Sequence, residues 1–303
     1  MNILTEPMNR RQFVVTAGAG LLLSSTLSNC KSGGETKSMA KIGLQLYTVR
    51  EQIAKDIKGT LQRVAEFGFH GVETGFWPEG VTIEDAGKLI KEAGLNVFSA
   101  HCEIPVGENK STFLRIADAF ECKRMVWHGW PEDQRYKTAE GVKALTELYN
   151  ESSKFAKNNG LQFGIHNHWW EFHNKIGDRF AYEVLLDELD KDIFFELDTY
   201  WLKTAGHDPA TIVSEFGSRA PMLHIKDGPA RYNDDLANDE TPMTPVGKGT
   251  QNFPAIVKAA KGNTEWMIVE MDRTAGDVFD AIDQSYKYLV GNDLAEGKKS
   301  IKG

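Results

Sequence analysis

Cysteine and long hydrophobic runs are both scarce in this chain. It has 3 cysteines among 303 residues, too few for the dense disulfide framework that holds small secreted domains together. No apolar run approaches the roughly 20 residues that a membrane-spanning helix needs. The composition, 41% hydrophobic and 26% charged, is typical of a soluble globular protein. The length suits one α/β barrel or two small domains.

Positive charge is also in short supply. The chain has 35 Lys and Arg residues against 43 Asp and Glu residues, which gives a net charge of −8. Because binding to nucleic acid needs clustered Lys and Arg against the phosphates, we expect no nucleic-acid partner. We expect a small-molecule ligand instead.

The first thirty residues are typical of an export signal. Arg10 and Arg11 precede an apolar stretch that ends at Leu23, and Leu27-Ser28-Asn29-Cys30 follows it. Twin arginines before a short apolar region indicate a Tat signal in residues 1–30, and hence a periplasmic location. The last four residues resemble a lipoprotein box, although Asn29 stands where Gly, Ala or Ser is usual. A lipid on Cys30 is the one membrane attachment that we predict, with residues 31–40 as a flexible tether.

The other two cysteines, Cys102 and Cys122, give no disulfide pattern. We interpret both as buried free thiols. Cys102 follows His101 at a predicted strand end, so a place in a pocket wall is the alternative for that thiol.

Residues 41–291 contain eight short β-rich runs that alternate with amphipathic stretches of helical period. Gly68, Gly94 and Gly160 each stand just before a predicted strand, where a helix often ends on glycine. The predicted strands are 42–48, 71–74, 95–101, 123–128, 161–167, 192–198, 221–226 and 265–271, and the predicted helical stretches include 51–67, 82–93, 138–158, 178–190 and 276–290.

This alternation predicts an α/β protein with a single (β/α)8 TIM barrel over residues 41–291, followed by a polar tail, 292–303. A doubly wound open sheet is the alternative, but no G-x-G-x-x-G motif opens the first unit. Residues 227–251 after the seventh strand are rich in Pro, Gly, Asn and Asp and show no periodicity. On a barrel this long loop would lie over the C-terminal face, where it could act as a lid.

Polar residues end the last four predicted strands: His166, Asp198, His224 and Glu270. Parallel strands place their C-terminal ends on one face, and nitrogen and carboxylate ligands that meet there suit a divalent metal. Because strand side chains alternate, His168 shares a face with His166, Glu196 with Asp198, and Lys226 with His224. The pattern therefore predicts an enzyme with a metal centre.

Polar groups also end the other strands, and tryptophans cluster beside these motifs. We expect Gln45, Glu73, His101, His128 and Trp201 to bind substrate at the barrel rim. His128 could equally be a structural histidine, and the tryptophans could be packing rather than sugar platforms. Glu196 is either a group that orients a metal ligand or an ion-pair partner of Lys226.

Six motifs together resemble the xylose-isomerase-like barrels called sugar phosphate isomerases/epimerases: GLQLYTVR, GVETGFW, IHNHWWEF, ELDTYW, LHIKDG and VEMD. The resemblance covers about residues 40–291. It implies one divalent ion (Mn²⁺, Co²⁺, Mg²⁺ or Zn²⁺), with Asp198, His224 and Glu270 in three of the four ligand places. His166 stands where many relatives have Glu, with His168 and Glu171 close behind, and which of these three completes the site stays open. The resemblance also implies a homo-oligomer, although we see no exposed seam in the sequence that supports one.

The resemblance implies proton abstraction next to a sugar carbonyl, with the metal stabilising the enediolate. Glu270, Glu171 or His168 could be the base, and Lys226 would stabilise negative charge. We expect a sugar isomerase or epimerase. A lyase or hydratase acting on 3-keto-glycosides or inososes is the first alternative, and a sugar-binding lipoprotein without catalysis is the second. A related endonuclease is disfavoured by the acidic charge.

Export favours an unphosphorylated sugar or keto-glycoside, because sugar phosphates are largely cytoplasmic. We find no Gly-rich or Arg-rich phosphate cradle at the strand ends, and we interpret Gly247-Lys248-Gly249 as a turn.

Overall fold

The computed structural model describes residues 39–301. The predicted export signal, Cys30 and residues 31–38 of the predicted tether lie outside the described residues. Residues 292–301, part of the predicted polar tail, follow the last helix and run beside the first strand. There the backbone N–H of Ile42 donates to the carbonyl of Glu296 at 2.8 Å, and Leu294 and Ala295 are buried.

Eight parallel strands close into a barrel, which confirms the predicted single (β/α)8 fold. Around the barrel the strands stand in the order β1, β10, β9, β8, β5, β4, β3, β2. Pairing of β1 with β10, from Lys41 opposite Trp266 to Leu44 opposite Val269, closes the ring and excludes the open sheet. The barrel strands are β1 Lys41–Gln45, β2 Gly71–Thr74, β3 Val97–Cys102, β4 Arg124–Trp127, β5 Gln162–His166, β8 Phe194–Asp198, β9 Met222–Ile225 and β10 Trp266–Val269; β6 Lys175–Ile176 and β7 Arg179–Phe180 form a separate antiparallel hairpin.

Helices surround the barrel, and within residues 39–301 none is both long and apolar enough to cross a membrane. They are α1 Arg50–Lys55, α2 Ile57–Phe67, α3 Ile83–Glu92, α4 Asn109–Ala119, α5 Ala139–Asn158, α6 Trp170–His173, α7 Ala181–Glu188, α8 Thr199–Thr204, α9 Pro209–Phe216, α10 Phe253–Ala260 and α11 Val278–Gly291. Short 3-10 turns cover Leu46–Val49, Gln134–Lys137, Gly217–Arg219 and Leu236–Asn238.

The predicted helix 51–67 is two helices, α1 and α2. Asp56 separates them with extended backbone, and its carboxylate accepts the N–H of Gly59 at 3.0 Å to cap α2. Gly68, Gly94 and Gly160 have φ of +101°, +74° and +72°, which confirms the predicted glycine ends. The predicted stretch 178–190 begins instead with β7 and contains the shorter helix α7.

The lower interior of the barrel is an apolar plug. It contains Phe98, Val126, Phe194, Met222, Trp266 and Ile268. Two glycines make room for its rings, because a Cβ on Gly43 would come within 2.5 Å of Phe98 and one on Gly164 would come closer still to Phe194. Polar side chains are thereby confined to the upper half of the barrel.

A β-bulge in β3 supplies both halves of the interior. Val72 pairs with Val97, but Glu73 pairs with Ser99, so the register shifts at Phe98. Phe98 stacks on Trp266 below, with 3.8 Å between ring centroids. The hydroxyl of Ser99 donates to Glu73 above, at 2.5 Å. The bulge therefore lets two consecutive residues face the same interior.

Both described cysteines are free and buried, which confirms the free-thiol interpretation. Burial raises the pKa of Cys122 to about 12 and raises the pKa of Cys102 well above its ordinary value. The Sγ of Cys102 lies 3.6 Å from the carbonyl oxygen of Val126.

Candidate metal centre and active site

Charged and polar side chains fill the upper interior, at the C-terminal ends of the strands. Alternation along each strand turns every second side chain inward, so β8 contributes Glu196 and Asp198, and β9 with the residue after it contributes His224 and Lys226. All the members of this cluster are buried: Gln45, Glu73, His101, His166, Glu196, Asp198, His224, Lys226 and Glu270.

Asp198, His224 and Glu270 converge, as the strand pattern predicts. Each offers one ligand atom, and the three atoms lie within 4.8 Å of one another. The Nδ1 atom of His224 is 2.7 Å from an Oε atom of Glu270. Asp198 is the last residue of β8, His224 lies within β9, and Glu270 directly follows β10, so three neighbouring strands hold them in place.

A second group shares His224 and contains His101, His166 and Glu196. One oxygen of Glu196 lies 2.7 Å from His101 Nε2, 3.1 Å from His166 Nδ1 and 3.0 Å from His224 Nε2. Glu196 thus orients histidines, and the alternative that it pairs with Lys226 is wrong.

Lys226 instead forms ion pairs with the carboxylates of Asp198, Glu270 and Asp272. Its ammonium lies 3.1 Å from Asp198, 2.9 Å from Glu270 and 3.0 Å from Asp272. Burial would lower the pKa of Lys226, but Asp198, Asp272 and Glu270 outweigh it and raise the pKa well above its ordinary value. Lys226 is therefore positively charged near neutral pH, and it lies beside two of the three converging residues, Asp198 and Glu270.

Glu73 is held within the cluster by hydrogen bonds. It accepts hydrogen bonds from Gln45 Nε2 at 2.8 Å and from Ser99, and His224 Nε2 lies 2.7 Å away. Burial, and after it the charge of Glu196, raise the pKa of Glu73 to about 7.

The other titratable groups divide according to their nearest charges. Burial raises the pKa of Asp198 to about 6, with Lys226 and His224 opposing the rise. Burial would also raise the pKa of Glu270, but Lys226 and His224 outweigh it, and the pKa is lowered. His224 behaves in the opposite way: burial would lower its pKa, but Glu196 and Glu270 raise it.

The residues present fit a divalent cation. His166 Nδ1, Glu196 Oε1, Asp198 Oδ2 and His224 Nδ1 are buried and make no hydrogen bond within residues 39–301, although all but Glu196 Oε1 lie within 3.1 Å of an ion-pair partner. Buried polar atoms are rarely left in this condition. In the described part of the chain, Lys226 is also the one lysine or arginine paired with any of the four buried carboxyl groups of the cluster, and it contacts only two of them, Asp198 and Glu270. Nitrogen and oxygen ligands that need positive charge suit Zn²⁺, Mn²⁺ or Co²⁺.

A pocket of about 320 Å³ opens above the cluster, which is within the usual size range for small ligands. Four of the predicted substrate-binding residues line it, namely Gln45, His101, His128 and Trp201, whereas Glu73 does not. The remaining wall includes Tyr47, Arg50, Phe76, Trp130, His166, His168, Trp169, Lys226, Leu236, Ala237, Glu270, Asp272 and Arg273.

His168 and Glu171 occupy different places. The ring of His168 lies in the pocket wall, stacked on Trp170 with 4.4 Å between centroids, and burial lowers its pKa well below the ordinary value. Glu171 lies outside that wall. Its carboxylate accepts the backbone N–H of His168 at 3.0 Å, and burial raises its pKa to about 8.

His128 lies in the wall, but both of its nitrogens have partners. Nδ1 accepts the backbone N–H of Trp130 at 3.1 Å, and Nε2 lies 3.2 Å from Glu103. These contacts fit the structural interpretation of this histidine at least as well as a substrate contact.

Sequence reasoning missed several wall residues, among them Arg50, Phe76, Asp272 and Arg273. Asp272 had a usable signal, because it follows Glu270 by two residues and so shares its face. The other three lie in helix starts and loops, where no periodicity marks the direction of a side chain.

Asp227 organises the long loop 227–251. Its buried carboxylate accepts N–H groups from Gly228 at 2.9 Å, Gly247 at 3.0 Å, Gly249 at 2.8 Å and Gln251 at 3.2 Å. The amides of Gly247 and Gly249 are thus occupied by a side chain of the protein itself, which confirms the turn. The middle of the loop places Leu236 and Ala237 in the pocket wall.

Comparison with known proteins gives the same architecture. A sugar phosphate isomerase/epimerase from Parabacteroides distasonis is 23% identical over 86% of this chain and 96% of its own, with a TM-score of 0.68. A probable 3-DHS dehydratase from Bacillus anthracis is 17% identical over 82% and 98%, with a TM-score of 0.60. A D-psicose 3-epimerase is 15% identical over 84% and 99%, with a TM-score of 0.57. Likenesses at these identities show the fold alone.

No match was found among proteins with curated descriptions. Residues 61–290, well over half of the chain, match the family described as xylose isomerase-like TIM barrel. The closed eight-stranded parallel barrel described above is the fold that this description names. The chain therefore belongs to the xylose isomerase-like TIM barrel family.

Proposed function

We propose that this protein is a divalent-metal-dependent isomerase or epimerase of an unphosphorylated sugar. The observation that carries the proposal is the convergence of the buried ligand atoms of Asp198, His224 and Glu270, the last of which lines the pocket. His166 is the fourth residue that we assign to the ion, since its Nε2 lies 3.9 Å from Asp198. Relatives named as sugar isomerases and epimerases share the fold.

A bound divalent ion would supply Lewis acidity that stabilises negative charge on a sugar carbonyl oxygen. Lys226, held at Asp198 and Glu270, adds a second positive charge on the same side of the pocket. Glu270 and His168 both lie in the pocket wall, and we assign the carbon-bound proton to one of them. Glu171 faces the backbone of His168 and would act by positioning that segment.

The unphosphorylated substrate is supported by the loop. The amides of Gly247 and Gly249 point at Asp227, so this glycine pair offers no N–H groups to a phosphate. Turnover of phosphorylated ketoses alone would contradict this part of the proposal.

A second candidate function is elimination by a lyase acting on a keto-glycoside. His166 ends β5, at the position where many relatives have Glu, and His168 follows it, while Glu270 lies in the same pocket wall. Two unlike groups suit elimination, which needs a base at the carbon and an acid at the leaving group. A sugar-binding protein without catalysis is the remaining alternative.

The test is deuterium exchange from solvent into a panel of ketoses and keto-glycosides, with and without a chelator. We expect exchange that depends on the ion, with release of the aglycone in addition if the protein is a lyase. Ligand-induced thermal stabilisation without exchange would identify a binder, and undiminished exchange after removal of divalent ions would refute the metal role.

Asp198→Asn separates the charge of Asp198 from its structural contact. One oxygen of Asp198 accepts the N–H groups of Tyr200 and Trp201 at the start of α8, and Asn serves equally well as an N-cap. We expect metal affinity to fall at least about tenfold while the fold is kept. Asp208→Asn is the matched control, because Asp208 caps α9 away from the site.

We also propose that the chain is exported through the Tat pathway and anchored by a lipid on Cys30. Arg10, Arg11 and Cys30 support this proposal through their spacing. Cell fractionation of the wild type and of an Arg10→Lys, Arg11→Lys variant tests export. Retention of both in the cytoplasm would contradict it.

A further inference from the structure

Three of the four exposed aromatic side chains of residues 39–301 lie at the mouth of the pocket. Six large hydrophobic side chains in this range are exposed. Two of them, Met39 and Ile301, are the end residues of the described chain. The four others are aromatic: Tyr47 (37% exposed), Phe76 (60%), Trp130 (43%) and Tyr232 (43%). Exposed apolar clusters of this kind mark ligand or partner sites.

Three of these rings line the pocket that contains the metal centre, namely Tyr47, Phe76 and Trp130. They follow β1, β2 and β4, which lie in one half of the barrel. The proposed metal residues come from β5, β8, β9 and β10, the strands of the other half. These three rings, which we call the aromatic arc, therefore lie on the opposite side of the pocket mouth from the proposed metal residues.

Contacts with neighbouring side chains hold the arc in place. Phe76 packs edge-on against His128, with 5.1 Å between centroids, and against Tyr47 at 6.3 Å. The guanidinium of Arg50 covers the Tyr47 ring at 4.1 Å, and Trp130 packs against Trp170 at 5.8 Å. Rings supported in this way offer a fixed apolar surface to a ligand.

We propose that Tyr47, Phe76 and Trp130 form an outer subsite that binds a second ring joined to the reacting sugar. The substrate class is then a glycoside whose reacting sugar carries a carbonyl and is joined to an aromatic aglycone or a second sugar, and not a free monosaccharide. The inference rests on the proposed function for the position of the reacting sugar. When the reacting sugar is held by the polar side chains of the cluster, a group attached to that sugar lies beside Tyr47, Phe76 and Trp130. The apolar face of a second ring then covers the exposed face of Phe76.

The test compares ligands by calorimetry on the purified protein with Mn²⁺. The probes are D-glucose, phenyl β-D-glucopyranoside and cellobiose, together with D-galactose, phenyl β-D-galactopyranoside and lactose. We expect at least one glycoside to bind about tenfold more tightly than its free sugar. Preference for the phenyl glycoside assigns the subsite to an aromatic aglycone, and preference for the disaccharide assigns it to a second sugar.

Phe76→Ala should remove most of that preference while leaving the affinity for the free sugar within about twofold. Tyr47→Ala should act in the same direction. Met39 is another exposed side chain, outside this pocket, and Met39→Ala should have no effect. Because Phe76 is largely exposed, circular dichroism should show an unchanged fold.

Three results would overturn the subsite: no glycoside binds more tightly than its free sugar, Phe76→Ala weakens sugar and glycoside alike, or Phe76→Ala changes the oligomeric state with glycoside affinity unchanged. The last result would assign the arc to a second copy of the chain. Binding is measured here without turnover. A glycoside preference in a protein that shows no deuterium exchange would therefore refute the proposed function and leave the subsite standing.

Discussion

His224 is the residue on which the two buried ligand groups depend. Its Nε2 lies near Glu73 and Glu196, and its Nδ1 near Glu270. In the chain without an ion, a protonated His224 and Lys226 are the charges that offset these carboxylates. A histidine that ligates a metal must be neutral, so binding of the proposed ion at His224 would displace a proton from this position.

The raised pKa of Glu171 predicts that the stability of the fold depends on pH, and the substitution Glu171→Gln isolates this contribution. Burial raises its pKa from 4.5 to about 8. Between these values the folded chain keeps a proton that the unfolded chain has released, so stability falls as pH rises, by at most about 1.4 kcal/mol per pH unit. Glu171→Gln keeps the acceptor for the N–H of His168 and removes the titration. We expect this variant to gain stability relative to wild type between pH 5 and pH 8 in urea unfolding with chelator present.

Glu147→Gln, an exposed glutamate on α5, is the control and should track the wild type at every pH. A constant difference between Glu171→Gln and the wild type across this range would show that Glu171 is ionised in the fold.

We predict that the two buried thiols do not react with thiol reagents in the folded protein. Cys102 and Cys122 are free and buried, and burial raises the pKa of both thiols, so neither forms the reactive thiolate near neutral pH. In a Cys30→Ser chain we expect no reaction with Ellman's reagent at pH 8 until guanidinium unfolds the protein, when both thiols react. Reaction of either thiol in the native protein would contradict the burial.

Individual residues were predictable where strand alternation decides their direction. Asp198, His224 and Glu270 end parallel strands, so their convergence follows from the fold. Glu171 lies on the short helix α6, where two directions are open, and its place behind His168 depends on packing against Trp170. The partners of Glu196 were not predictable either, since three histidines come from three other strands.

Helices and strands were likewise predictable where a local sequence pattern marks them, and were not predictable where a contact distant in sequence decides them. Every predicted strand is present within a few residues, because β-rich runs bounded by glycine carry their own signal. The break at Asp56 has only a capping residue to mark it, in a stretch whose apolar period runs on. The bulge at Phe98 depends on the ring of Trp266, which is distant in sequence, so no local pattern indicates it.

Loop 227–251 gives a prediction for an element held by one side chain. Asp227→Asn replaces one of the two oxygens that accept four backbone N–H groups, leaving at least two buried donors unpaired at about 1–3 kcal/mol each. We expect trypsin to cleave after the exposed Arg231 at least about tenfold faster in the native protein. Mass spectrometry of the first cleavage product measures this.

Asp235→Asn, in the same loop but exposed, should leave the cleavage rate unchanged. Equal rates in Asp227→Asn and wild type would show that contacts other than the Asp227 carboxylate hold the loop.

At the scale of the molecule, the barrel interior is divided by height. An apolar plug fills the lower half, and four buried carboxyl groups share the upper half with Lys226 and several histidines. Desolvated negative charge of this density is costly unless it is neutralised by protons or by a cation. We therefore expect the fold without an ion to take up protons, which would couple its stability to pH and to the proposed metal.

This coupling predicts that divalent ions stabilise the protein more as pH rises. Burial raises the pKa of Asp198 to about 6 and that of Glu73 to about 7, and the pKa of His224 is raised as well. Below these values protons hold the sites that the ion needs, and above them the ion meets less competition. With Mn²⁺ at about 100 times its Kd, the stabilisation is about 2.7 kcal/mol, or several degrees in Tm.

Melting curves with and without Mn²⁺ at pH 5.5, 6.5 and 7.5 measure the effect. The shift in Tm should grow from the lowest pH to the highest in the wild type and in Asp208→Asn. In Asp198→Asn the shift should be small throughout, because the variant lacks a carboxylate ligand whatever the pH. A shift that is equal at all three pH values would mean that the ion binds without displacing protons, and so somewhere other than among these buried carboxyl groups.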